Sequence, residues 1–167
     1  DTSINVTIPA GFAAGPGQLL VIGANSQVSQ NGLTFHVGET PTFVVDPGDS
    51  IQAAIDAANP GDLIVLTPGL HFGTVNLNKA VTLQGYGPGA NDGFGTGGSV
   101  LDQRFVFDPV GINIVGTPGQ YSAGLSPQID GFRIVNARDE QDVGGGVHVD
   151  TNADYTVISN NVIQSNG

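Results

Sequence analysis

Short apolar runs that recur along most of the chain constrain its fold more than any other feature. Beyond residue 60 they are Leu63-Ile64-Val65-Leu66, Val75-Asn76-Leu77, Val81-Thr82-Leu83, Val100-Leu101, Ile112-Asn113-Ile114-Val115, Phe132-Arg133-Ile134-Val135, Val147-His148-Val149 and Val157-Ile158. Gly, Pro, Asn or Asp separates most neighbours, so each run reads as a strand bounded by turns. The steps from Ile64 to Val81, from Ile112 to Ile129 and from Phe132 to Val147 are nearly equal. A repeat of about 20 residues with one or two strands per unit is the spacing of a stacked solenoid. No helical periodicity separates these strands, which disfavours βαβ units.

Composition supports strands and narrows the partners. Lys and Arg number 4 against 15 Asp and Glu, a formal net charge of -11 over 167 residues. A chain this acidic is not drawn to nucleic acid, whose phosphates need basic clusters. Only 11% of residues are charged while Gly supplies 26 and Pro 10, which suits strands and tight turns rather than a helical bundle. With no Cys, a disulfide scaffold, a zinc-thiolate site and cysteine catalysis are excluded. No run approaches the roughly 18 apolar residues that a membrane-spanning helix needs. The chain has no Met, so Asp1 is not a translation start. The expectation is a processed product or a piece of something longer, without a signal peptide.

The one convincing helix is "PGDSIQAAIDAANPGD". Asp49 is the expected N-cap, with Gln52 at capping-box spacing. Ile51, Ile55 and Ala58 form one apolar stripe, and Asn59-Pro60-Gly61 ends the helix. At two to three turns it must lie on an apolar surface.

The first segment, residues 1–40, alternates at Ile4, Val6 and Ile8, turns at Pro9-Ala10-Gly11 and Gly15-Pro16-Gly17, and continues through Leu19-Leu20-Val21-Ile22. After Asn31-Gly32 the alternation returns at Leu33, Phe35 and Val37. The pieces "INVTIPAGFAAGPGQLLVIG" and "SQNGLTFHVG" resemble the C-terminal strands of an IPT/TIG-type immunoglobulin-like domain. That resemblance implies a β-sandwich-like segment lacking half of its sandwich.

The stretch "SIQAAIDAANPGDLIVLTPGLHFGTVNLNKAVTLQGYGPG" resembles the N-terminal start of right-handed parallel β-helices of the pectin-lyase-like superfamily. "IDGFRIVNARDEQDVGGGVHVDTNADYTVISNNVIQSNG" is similar to interior coils of the same superfamily. The resemblance implies that residues 41–167 are an all-β solenoid: a right-handed parallel β-helix, its N-terminal cap and first coils, truncated at the C-terminal side. On that reading Val65, Leu83, Ile114, Ile134 and Val149 are buried in columns. Asn76, Thr82 and Arg133 face outward. Asn160, Asn161 and Asn166 occupy sharp turns, where Asn tolerates left-handed backbone and bonds along the stack. The helix covers the N-terminal end of the strands, which is otherwise an exposed edge.

Candidate chemistry is sparse. Asp139, Glu140 and Asp142, just before Gly144-Gly145-Gly146, offer three carboxylates in four residues, a calcium candidate because Ca²⁺ takes hard oxygen ligands. The competing reading is a solvated acidic loop. Asp150, Asn152 and Asp154 start like a calcium loop, but Tyr155 and Asn161 stand where Gly and Glu are needed, so this is a turn. His36, His71 and His148 are far apart and read as strand histidines, His71 matching a position of the β-helix pattern. "NDGFGTGGS" lacks the Lys and helix of a phosphate loop and reads as a flexible turn. Asn5-Val6-Thr7 is a glycosylation sequon. Lys79, Arg104, Arg133 and Arg138 are the only cations and are spread widely.

The expected function is an extracellular, secreted or cell-surface structural and adhesion module that contacts glycan or joins an assembly. The partner is a polysaccharide or another protein chain at the open solenoid end, including a head-to-tail copy, with no nucleic acid and no membrane insertion. The alternative is the N-terminal part of a polysaccharide lyase, hydrolase or epimerase with its active site in coils outside this segment. No acid–base constellation within the segment points to catalysis, and no cofactor besides calcium is implied.

Overall fold

The computed structural model describes residues 5–28, 32–90, 92–105, 110–137 and 145–166. Its first elements are β1 (Gly15–Leu19) and β2 (Leu33–Val37), an antiparallel ribbon with Gly17 opposite Phe35. The strand expected at Leu19–Ile22 lies earlier, and residues 5–8 form no strand. Ile22 instead makes an isolated bridge to Val28 across a tight turn.

The remaining strands are all parallel to their partners. The first sheet holds β3 (Phe43–Val45), β4 (Leu63–Leu66), β7 (Thr82–Gln84), β10 (Gln128–Asp130) and β13 (Val157–Ser159). The second holds β5 (Gly69–His71), β8 (Ser99–Asp102), β11 (Phe132–Val135) and β14 (Val162–Gln164). The third holds β6 (Val75–Leu77), β9 (Val110–Ile114) and β12 (Gly145–Val149). From β4 onward the chain visits the three sheets in rotation, so each circuit adds one strand to each sheet.

These findings correct the expected fold class. Among the described residues the regular elements are mostly strands, divided among separate parallel sheets of five, four and three strands beside the antiparallel ribbon, with one helix. This is an α/β-like arrangement; among the described residues no all-β, right-handed parallel β-helix is found. The expectation rested on near-equal steps between apolar runs. Run spacing reports where strands lie along the chain, not which sheet each one joins. The stacked partners Ile64, Leu83, Ile129 and Ile158 are in fact separated by very unequal lengths of chain.

The helix α1 (Ile51–Ala57) buries Ile51 and Ile55 against β3 and β6. Its N-cap is Ser50, not Asp49: Ser50 Oγ accepts from the Ala53 N–H at 3.2 Å. Asp49 closes the preceding turn by accepting from the Asp46 N–H. Gln52 is not the partner in a capping box. Its amide reaches Asn76 on the edge strand β6, accepting from Asn76 N–H at 2.8 Å and donating to Asn76 O at 3.2 Å. One side chain thus satisfies an edge residue whose backbone groups would otherwise be unpaired. At the other end of α1 the Lys79 ammonium donates to the carbonyls of Ile55, Asp56 and Ala58 at 3.0, 2.6 and 2.9 Å. Those are among the carbonyls that a helix C-terminus leaves without intrahelical partners.

Between the sheets, Ile64, Leu83, Ile129, Leu101, Ile134, Phe132, Ile112 and Ile114 are fully buried. Val65 is buried as well, on the outer face of the first sheet. Val149 is a correction: it continues the Leu77–Ile114 column but is 42% exposed where Ile114 is 0%. It lies on β12, the last strand of its sheet, and nothing stacks beyond it among the described residues. Asn160 takes left-handed backbone, with φ 53°. Asn161 bridges two strand backbones, accepting from Phe132 N–H and donating to Ile129 O. Asn166 repeats this with Ala137 N–H and Ile134 O. The ribbon lies over the first sheet, where the Thr34 hydroxyl donates to Gly85 O. No helix among the described residues is long and apolar enough to cross a membrane.

Candidate functional site

The outer face of the second sheet carries a cluster of polar side chains. Register sets Leu70, Val100 and Arg133 in one row and Asp102, Val135 and Gln164 in another. A loop between β7 and β8 arches over them. Its arms approach so closely that a side chain on Gly98 would collide with the Gly89 backbone. Asp92 stiffens the arch, accepting from the Phe94 and Gly95 N–H groups at 2.9 and 3.1 Å. Residues 92–95 of that stretch therefore turn around the Asp92 carboxylate.

Beneath the arch is a cleft of about 140 Å³, lined by Asp102, Arg104, Arg133, Asn136, Gln164 and Gly95 among others. Asp102 is fully buried. Its Oδ2 accepts from Arg104 Nε at 2.7 Å and also pairs with Arg104 Nη2. Its Oδ1 accepts from Asn136 Nδ2 at 2.8 Å and from the Arg104 N–H at 3.0 Å. Burial alone would raise the Asp102 pKa, but the hydrogen bonds from Arg104 and Asn136 outweigh it and hold the carboxyl below its ordinary value. Bonding to Asp102 raises the Arg104 pKa in turn. Beside the cleft, Phe72 and Phe105 form a tilted pair with centroids 5.7 Å apart, both exposed. The Arg104 guanidinium sits 6.0 Å from the Phe105 centroid.

Sequence reading missed this site and took Arg104 and Arg133 as spread widely; the register of β8 against β11 brings both to one cleft. The single local signal is the Asp102-x-Arg104 spacing. Arg133 was expected to face outward, and it does, but the arch covers it and it is buried. Asp139, Glu140 and Asp142, the calcium candidates, lie outside the described residues. Among the described residues no three His, Asp or Glu side chains converge as a metal site. Asp150 closes a turn, its carboxylate accepting from the Thr151 N–H at 2.6 Å.

The histidines separate. His148 is exposed on β12. His71 is buried with Nε2 2.8 Å from Thr67 O, and burial pushes its pKa below 6.5 against the opposing effect of that bond. His36 stands between Gln84 Oε1 at 3.1 Å and Glu39 Oε2 at 3.2 Å, tying the ribbon to the first sheet.

Asp92 gives a pH expectation. Bonds from the Thr96 hydroxyl and the Phe94 amide lower its pKa from 3.8 to about 2. A depressed carboxyl stabilises the fold above its unfolded value and loses that contribution as pH falls through its folded value. Exchange protection of the Phe94 and Gly95 amides should therefore fall between pH 3.8 and about 2. In Asp92→Asn the same protection should start lower and show no such step.

No family model, curated protein or solved structure matches this chain.

Proposed function

We propose that this chain is a structural and adhesion module of the cell surface or extracellular space that contacts glycan at the cleft on the second sheet. The observation that carries the reading is the fixed Asp102–Arg104–Asn136 array beside the exposed Phe72–Phe105 pair. A sugar ring presents hydroxyls at its edge and C–H groups on its faces. Locked polar groups next to an aromatic platform match both, and polar groups held by their own partners need no reordering on binding. Exposed apolar side chains that cluster, as Phe72 and Phe105 do, favour a contact surface more than isolated ones. The acidic, low-charge, Cys-free composition suits a displayed scaffold more than a nucleic-acid binder.

The test is a panel of immobilised oligosaccharides. At least one should retain the protein, and the Phe72→Ala/Phe105→Ala double variant should bind it at least tenfold more weakly. Because both rings are exposed, the variant should keep its thermal midpoint within a few degrees. Absence of retention across the panel, or undiminished retention of the variant, would overturn the reading.

A further inference from the structure

The cation buried deepest in the cleft has no anionic partner among the described residues. Arg133 is 6% exposed, and its guanidinium donates from Nε to Pro88 O and from Nη2 to Gly89 O, each at 3.0 Å. Both acceptors are neutral, and a guanidinium carries five N–H donors. Among the described residues no carboxylate pairs with Arg133. The carboxylate that lines the cleft, Asp102, already accepts on both oxygens. Asp92, on the arch, is turned to its own loop amides. A charge withdrawn from water is stable when an opposite charge offsets it.

The second cation of the cleft, Arg104, has a side chain 42% exposed and engages Asp102 through Nε and Nη2. Among the described residues the lining thus holds two guanidinium groups against one carboxylate, in a chain with only four Lys and Arg and a net charge of -11. We propose that the cleft is a subsite for an oxyanion, a carboxylate or sulfate ester borne by a sugar, held by Arg133 and Arg104. This rests on the glycan reading and adds the charge of the ligand. Guanidinium forks match planar or tetrahedral oxyanions by paired hydrogen bonds. At about 140 Å³ the cleft is well below the roughly 300–1,000 Å³ of a pocket that engulfs a drug-sized ligand. It therefore suits one charged substituent, with the rest of the sugar lying across Phe72 and Phe105.

The experiment is calorimetric titration of the 167-residue chain with four probes: an oligoglucuronate, its methyl ester, a sulfated neutral oligosaccharide and inorganic sulfate. The oligoglucuronate or the sulfated sugar should bind at least tenfold tighter than the ester, and which of them does so identifies the anion. That preference should weaken with added salt. Arg104→Gln and Arg133→Lys should each erase most of it. Should Arg133→Lys fail to fold, the wild-type comparison and Arg104→Gln still decide. Equal binding of acid and ester overturns the charged subsite and leaves the glycan reading standing. Binding of sulfate alone, dependent on Arg104, supports the subsite and overturns the glycan reading. No binding of any probe overturns both.

Discussion

Leu83→Ala is expected to lower stability by about 2–5 kcal/mol, the range for truncating a buried leucine whose surroundings cannot collapse into the space. Leu83 is fully buried on β7, with Ile64 of β4 on one side and Ile129 of β10 on the other. Both neighbours are fixed by parallel strand pairing, so neither backbone can move to fill the void. Urea unfolding checks this: the midpoint should fall while the slope stays unchanged. Val149→Ala provides the contrast. Val149 is half-exposed at the end of its column, so its truncation should cost about 1 kcal/mol or less. Equal losses at the two positions would contradict the assignment of β12 as the last strand of its sheet.

Lys79→Met should cost about 1.5–3 kcal/mol, the size of hydrogen bonds made by a charged group. Methionine keeps the apolar stem but leaves the carbonyls of Ile55, Asp56 and Ala58 without their shared donor. The loss should concentrate at the end of α1. Amide exchange at Ala58, whose N–H bonds to Ala54 and Ile55, should accelerate more than exchange in β8 or β11. If Lys79→Met leaves both the midpoint and the Ala58 amide unchanged, the ammonium contributes nothing to the cap.

Local features were legible in the sequence, and those that depend on register were not. The stripe of Ile51, Ile55 and Ala58 located the helix, although Ser50 and Asp49 are both good caps and only the geometry selects between them. Leu83, Ile114 and Ile134 are buried as expected, although the solenoid from which that expectation came is not found among the described residues. The roles of Asn161 and Asn166 followed from the ability of an amide to bridge stacked backbones. The cleft could not be read in this way. Its members come from β8, β11 and the residues after them, and their proximity depends on Val100 pairing with Arg133 rather than with a residue one step away. A slip of one residue would turn Arg133 into the core. The lengths of the intervening connections, which vary from circuit to circuit, hide that choice. The sheet membership of each strand is hidden for the same reason, which is why the fold class had to be corrected.

The rotation of the chain through three parallel sheets also sets how it must fold. A hairpin forms early because its two strands are neighbours in sequence, but here the ribbon β1–β2 is the only antiparallel pair of strands among the described residues. Apart from β3, which reaches β4 across α1, every other strand waits for a partner one full circuit away, and closing those long loops costs entropy before any contact repays it. Folding is therefore expected on the millisecond-to-second scale of non-local β proteins. It should also have a direction: the β4–β7 pairing, Ile64 with Leu83, closes the shortest circuit and, with α1 packed beside it, presents a ready template for each later strand. Amides near β13 and β14 should then gain protection last in pulsed exchange, long after those of β4.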